Sequence, residues 1–504
     1  MKQFLTSLKS FETNFNVWFI FITLFFFCLL RIPSLVEPDW YGDEGIYQVM
    51  GIAVREGRLL YQGIWDNKPP LLYLLYSFVN GDLFSIRFLS VIFGALAILF
   101  LFLLSLKIFK HKFSVFLTTS IFALFFGLPI LEGNIANAEN FMLAPIILAA
   151  FLIFQVNNRM RFYFFSGLLL STAFLTKIVA LFDFAAFFSF LVLLKFYEEF
   201  SFSKIRQILS PKRFFSGFKA EIIFVLSFLI PIIATFVYFF FQSALGDYLK
   251  AAFSQNVGYV GYGNYFLFPN GLLAIKILGL LVTLLLIFKY RKTLGTPGSF
   301  IFIWLAFSIF SALFSQRPYT HYLLVTLPAV CLSLGFIFEN KKMILYNAPL
   351  FIFSLIILSV SFNLGEKISA LPQSFSYYQN YFSFISGQKT LPSYQSFFDR
   401  NTSRDYAISD FIKTNTTKDE GVFLWSDSGQ IYALTNKLPP GRYIVAYHVT
   451  FYKNALEETA KAVDAAKPKF IIATKDPKEI HLLLHYYHFR YEIEGAKIYE
   501  RNKI

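Results

Sequence analysis

Cysteine is almost missing from this chain. Cys28 and Cys331 are the only two in 504 residues, and each lies inside an apolar run, so a disulfide framework is excluded as the source of stability. Charge is sparse at 15% of residues, and acids are the scarcer sign, 31 against 45 Lys and Arg. The net charge of +14 would suggest nucleic acid in a soluble protein, but the cations gather between apolar runs, where they set orientation in a bilayer. No nucleic-acid partner is expected. No small-residue cleavage site follows the run Val17–Leu30, so that run reads as an uncleaved first span rather than a signal peptide. No internal repeat and no long low-complexity tract appear.

Apolar sequence, by contrast, is abundant: 56% hydrophobic residues, 68 phenylalanines and a mean hydropathy of +0.56, beyond what a soluble domain of this length carries. Runs near the ~20 residues that cross a bilayer recur at 15–33, 83–108, 113–131, 141–156, 162–176, 178–195, 220–242, 271–289, 299–315, 321–338 and 343–363. The expected fold is a polytopic α-helical membrane protein of about eleven spans. One alternating set of loops holds Lys2, Lys9, Lys107, Lys110, Lys112, Arg159, Arg161, Lys195, Lys204, Arg206, Lys212, Arg213, Lys219, Lys289, Arg291, Lys292, Lys341 and Lys342. The other holds few cations in its short loops, so the first set is assigned to the cytoplasm. The N-terminus is then cytoplasmic, and the loop 34–70 lies outside, at the plasma membrane. Residues 71–79 are apolar but too short to span, and read as an interfacial or partly inserted helix.

From about 364 to 504 no spanning run occurs. Val422–Trp425 and Phe470–Ala473 read as short buried strands, 453–466 as an amphipathic helix stopped before Pro468, 478–488 as a second helix and 490–500 as a last edge strand. A loop-like stretch covers 370–400. The division is a membrane domain, 1–363, and a small extracytoplasmic α/β domain, 364–504.

Polar residues with chemical potential gather outside. Asp43 and Glu44 directly follow the first span, in Trp40-Tyr41-Gly42-Asp43-Glu44. A carboxylate there can interact with the dipole of a helix from about 44 to 57, or can take a proton from a hydroxyl or amine as it attacks an anomeric carbon. Tyr47, Arg55, Arg58, Tyr61 and Asp66 crowd the same loop, which shifts the balance to chemistry. Lys68 precedes Pro69-Pro70, whose fixed backbone aims the side chain. Glu139 abuts an apolar run in the second outer loop, a place where charge is functional or paired; Glu132 nearby reads as solvated loop. Lys177 and Arg317 either snorkel to the interface or bind a lipid-linked phosphate. Tyr319, His321 and Tyr322 flank Arg317. The segment 243–270, rich in Gly, Tyr and Asn, suits sugar stacking or an interfacial belt.

Asp43-Glu44, Lys68-Pro69-Pro70, the acid Glu139, and Arg317, Tyr319, His321 and Tyr322 with a later Leu327-Pro328 together resemble GT-C glycosyltransferases. Within that class the likeness is to protein O-mannosyltransferases and the aminoarabinose transferases that modify lipid A (families 39 and 83). It covers 1–363 and is strongest over 39–76. The resemblance implies a polyprenyl-phosphate sugar donor held among membrane lipids and inverting transfer to an acceptor protein, lipid or glycan. It implies Asp43 as general base with Glu44 beside it, Glu139 as second acid or acceptor group, and Lys68 on the phosphate. It implies Arg317, Tyr319 and His321 as further phosphate-side groups, with Arg58, Tyr61 and Lys177 as additional candidates. No cofactor is required; a divalent cation near Asp43 and Glu139 is optional. Two other readings remain, a flippase or transporter of lipid-linked sugars and a membrane-anchored sensor or assembly protein.

Overall fold

The computed structural model describes residues 2–155, 160–198, 215–256, 272–315, 319–339, 349, 352–356 and 371–502. Arg317, the span expected at 343–363, the hand-over at 363–366 and the Gly- and Tyr-rich part of 243–270 beyond Asn256 lie wholly or mostly outside these residues.

Among the described residues, the longer helices from Lys2 to Ile337 are α1 (Lys2–Arg31), α2 (Gly42–Arg55), α3 (Pro70–Phe78), α4 (Leu83–Ile108), α5 (Lys112–Gly127), α6 (Ala138–Ile153), α7 (Met160–Thr176), α8 (Leu181–Lys195), α9 (Lys219–Phe241), α10 (Leu272–Leu313) and α11 (Tyr322–Ile337). Among the described residues, five stretches, Asn14–Leu35, Leu83–Ile108, Ile178–Lys195, Lys219–Phe241 and Leu273–Leu313, are long and apolar enough to cross a membrane; α5, α6, α7 and α11 are shorter apolar helices. The apolar helices make the chain a multi-pass membrane protein. Expected spans 271–289 and 299–315 are the two halves of α10, parted at Gly295, whose φ of 69° no helix contains. The run 113–131 is shorter than expected: Leu128-Pro129 ends α5, and 129–131 forms one 3-10 turn.

The bundle packs in sequence order where loops are short. α6 lies against α4 and α7, α7 against α9, and α10 against α8 and α11. Buried Phe, Leu and Ile fill the interior, while the outward faces of α1, α9 and α10 expose Phe, Leu and Ile, as lipid-facing surfaces do. α3 is a nine-residue helix packed on α2 and α7.

The C-terminal segment departs from expectation in three places. The stretch 370–400 is helical at Leu371–Ile385 (α12) and Leu391–Gln395, because its aromatics find partners that a local reading cannot see: Phe384 stacks on Tyr394 (4.3 Å), and Tyr377 donates to Glu37. The helix expected over 478–488 is a 3-10 segment, Pro477–Tyr486. The single strand expected over 490–500 is a hairpin, since Glu494 and Gly495 take positive φ (44° and 85°) and turn the chain. After α13 (Thr402–Asn415) come β1 (Val422–Trp425), α14 (Gln430–Thr435), α15 (Ala446–Phe451), α16 (Ala455–Ala466), β2 (Phe470–Ala473), β3 (Tyr487–Ile493) and β4 (Ala496–Arg501). The sheet order is β1-β2-β4-β3, with β1 and β2 parallel and β4, not the expected edge, in the interior.

Candidate active site

Asp43 and Glu44 occupy the first turn of α2, where the helix dipole favours carboxylates. Neighbours on a helix diverge by about 100°, and the two acids find different company. Asp43 is half-buried; Tyr47, one turn on, donates from Oη to Asp43 Oδ2 (3.2 Å). Glu44 is buried. Arg87 of α4 grips it in a fork, Nε to Oε1 (3.1 Å) and Nη2 to Oε2 (2.7 Å), and the Ala136 amide donates to Oε1 (2.7 Å). Arg87 Nη1 also donates to the carbonyls of Ser34 (3.1 Å) and Glu37 (2.9 Å). The buried Glu37 carboxylate accepts from Trp40, Asn134 and Tyr377, so the start of α2, the second loop and α12 meet at one acid.

Lys68 is held by its backbone. Its N–H donates to Tyr73 Oη (2.8 Å), its carbonyl accepts from Tyr61 Oη (2.9 Å), and Tyr73 Oη donates to Asp66 Oδ2 (2.7 Å). Tyr61 is fully buried with φ of 70°, packed on Tyr73, Tyr248 and Phe239. Its place is that of a clamp on the Lys68 turn. Lys68 Nζ donates to Asn67 Oδ1 (2.8 Å) and lies 5.8 Å from the centre of the Tyr47 ring. Asp43 and Lys68 therefore flank one tyrosine.

The second outer loop adds two acids. Glu139, in the first turn of α6, is buried and ion-paired with Lys177, whose ammonium also sits 4.7 Å from the Tyr322 ring centre. The charges of Lys68 and Asp43 both act on Lys177, which joins the two halves of the site. Glu132, read from sequence as ordinary loop, is an acceptor hub: Tyr41 Oη (2.9 Å), Thr320 Oγ1 (2.6 Å) and His321 Nδ1 (2.9 Å) all donate to it. Burial raises the Glu132 pKa, but these donors, His321 foremost, outweigh it and hold the carboxyl at about 2. An ionised carboxylate only accepts, so the proton of His321 belongs on Nδ1, and Nε2 faces Glu139 Oε1 at 3.9 Å. Tyr319 stacks on His321 with ring centres 5.6 Å apart.

Arg58 stands apart. It donates to the carbonyls of Pro439 (2.9 Å) and Gly441 (3.2 Å) and lines a cavity of about 620 Å³ with Gln62, Arg442 and Glu458; Asp43, Lys68 and Glu139 do not line it. Glu139 Oε1 is taken by Lys177, and among the described residues no three His, Cys, Asp or Glu side chains converge on a metal position. His481 and His485, four apart and passed over in the sequence, lie in the 3-10 segment, where that spacing shares no face; His481 Nδ1 donates to Lys478 O (2.9 Å).

No protein-family model matches the chain, and no curated protein does. Solved structures do. ArnT from Cupriavidus metallidurans, solved bound to undecaprenyl phosphate, aligns over 97% of this chain and 98% of its own, at 12% identity and a TM-score of 0.50. The chain shares the fold of that protein. A looser likeness, TM-score 0.47 at 14% identity over 98% of this chain and 75% of the other, links it to the oligosaccharyltransferase AglB from Archaeoglobus fulgidus, solved with an inhibitory peptide and a dolichol-phosphate. Around Asp43 and Lys68, the residues that sequence reasoning missed are Arg87, Glu37 and Tyr41, and Tyr447 and His448 of the C-terminal segment. Only Arg87 carried a signal, as a lone cation inside an apolar run.

Proposed function

We propose that the chain is an integral membrane glycosyltransferase that moves a sugar from a polyprenyl-phosphate carrier to an acceptor on the outer side of the membrane, with inversion. The carrier's hydrocarbon stays in the bilayer and its phosphosugar reaches the loop 34–70. Asp43 accepts the proton of the acceptor hydroxyl or amine as that group attacks the anomeric carbon. The bond from that carbon to the phosphate oxygen breaks, and the departing phosphate gains negative charge that Lys68 and Lys177 stabilise; Arg317, outside the described residues, is proposed as a further phosphate-side cation. Glu139 keeps Lys177 charged and aimed, His321 and Tyr319 line the approach, and Glu132 sets the His321 tautomer. Glu44 acts as the anchor of the first turn of α2, and Tyr61 as the clamp on Lys68. Positive loops inside and the acid loop outside support this orientation, with residues 364–504 as an outer domain.

The observation that carries the reading is the shared contact of Asp43 and Lys68 with Tyr47, while the charge of Lys177 feels both. A base and a phosphate-binding cation that flank one tyrosine match single-displacement transfer from a lipid phosphate. The test is Asp43→Asn in native membranes supplied with a labelled isoprenoid-phosphate sugar. Transfer falls about 10²–10⁴-fold, the size of a lost general base, while undecaprenyl phosphate still protects the protein thermally. Undiminished transfer removes Asp43 from the reaction.

A further inference from the structure

The C-terminal segment is built onto the loop that carries Asp43, and the contact runs through backbone. The Trp65 amide donates to Arg442 O (2.9 Å), and Arg442 also pairs with Asp247 (3.0 Å) and Glu458 (2.7 Å). At Gly45, two residues past Asp43, a Cβ would stand 2.5 Å from Gln430 N, so α2 and the start of α14 touch with no side chain between them. The parallel strands β1 and β2 end at Trp425 and Ala473, and α15 is fixed just beyond them. Ala446 N donates to Ser426 O (2.7 Å), and Tyr447 N donates to Asp427 Oδ1 (3.1 Å). Ligands of open α/β sheets bind outside the carboxyl ends of such strands.

From α15, His448 reaches the Lys68 loop: its ring is buried, Nε2 lies 3.8 Å from Asp66 Oδ1, and Nδ1 has no hydrogen-bond partner. Tyr447 beside it keeps 41% of its surface open. The atoms packed around its hydroxyl push the Tyr447 pKa well up, and the charges that add most to this are the carboxylates of Asp43 and Asp66. Lys177, in contrast, answers to Glu139, Lys68 and Asp43. Asp43 thus shares Tyr47 with Lys68, a cation suited to phosphate, while the C-terminal segment reaches the same loop where His448 meets Asp66.

Building on the transferase reading, we propose that α15 forms the acceptor side of the active site, with Tyr447 as the specificity-determining contact and His448 as the post that seats the helix on Asp66. Carboxylates at Asp43 and Asp66 repel anionic groups, while Asp427 is paired with Lys475 (2.7 Å), and an open tyrosine face stacks on a sugar or other flat apolar surface. The acceptor end is therefore a neutral or cationic group that presents a hydroxyl or amine beside such a surface.

The experiment uses the full chain in membranes whose isoprenoid-linked sugars are metabolically labelled with [14C]glucose. It follows two products, label moved to the acceptor fraction and label released to water by slow hydrolysis. For Tyr447→Ala the ratio of transfer to hydrolysis falls about tenfold, the worth of a good aromatic contact, and thermal protection by undecaprenyl phosphate is unchanged. Tyr447→Phe, which keeps the ring, stays within about threefold of the native ratio if stacking dominates; a ratio as low as the alanine variant's assigns the same contact to the hydroxyl. A native ratio in Tyr447→Ala, or equal loss of both products, overturns the inference while leaving Asp43 its role. If Asp43→Asn transfers normally, Asp43 leaves the reaction and the acceptor side argued from it falls too; if the native chain moves no label at all, the transferase reading itself falls.

Discussion

Glu44 and Arg87 form a buried ion pair whose two ends are unequal, and that inequality is measurable. Glu44→Gln removes one charge from Arg87, but the guanidinium keeps Glu37 Oε2 at 4.0 Å and the carbonyls of Ser34 and Glu37. Arg87→Met strands two buried carboxylates at once, Glu44 and Glu37. Breaking a buried pair costs about 3–5 kcal/mol through the charge left behind. Glu44→Gln therefore belongs at the low end, about 3 kcal/mol, roughly a hundredfold in the folding equilibrium. Arg87→Met belongs at about 5 kcal/mol or beyond. Denaturant titration in detergent micelles measures both, and the double variant loses less than the sum because the two changes remove the same interaction. Activity follows stability in all three. A Glu44→Gln protein with native stability and no transfer would refute this and return Glu44 to the reaction as a partner of Asp43.

Gly45→Ala puts a methyl group 2.5 Å from a backbone nitrogen of Gln430, so α2 must part from the C-terminal segment; a loss of about 1–3 kcal/mol and a fall in transfer are expected, measured by thermal unfolding and by label transfer. His448, faced by Asp66, Lys68, Asp43 and Asp427, is pushed by burial from 6.5 down to about 4. The unfolded chain thus binds a proton that the folded chain refuses between those values, and stability falls as pH drops from 6.5 toward 4, by about 3 kcal/mol at most. His448→Phe flattens that slope in unfolding curves taken across the range.

Much of this was legible because membranes impose long apolar runs. The bundle from Leu83 to Ile337 follows its hydropathy, and Asp43 and Lys68 stand out because charge is rare around them. The break inside α10 was visible as a gap between two runs, at a glycine followed two residues later by proline. Glu132 was misjudged because a loop acid next to a glycine has no local mark of its three donors, which come from residues 41, 320 and 321. The helix Leu371–Ile385 was misjudged for a related reason: its Tyr and Ser residues favour no element by themselves, and what orders them is Glu37, more than three hundred residues upstream.

The C-terminal segment poses the deeper difficulty. Its attachment to the loop of Asp43 uses the Arg442 carbonyl, the Pro439 and Gly441 carbonyls and the bare backbone of Gly45 and Gln430. Every residue has a carbonyl, so such contacts leave no trace in side-chain patterns. A sequence reading therefore sees a detached module with its own strands, whereas the fold sets Trp65 against Tyr443 and His448 against Asp66. The consequence for chemistry is direct. In the role proposed for Asp43, a base held by a loop alone would wander, and one ångström of drift in a catalytic group can lower a rate by about a hundredfold. α2 is pinned from below by Arg87 and from the side by Gln430, so the position of Asp43 depends on both halves of the chain.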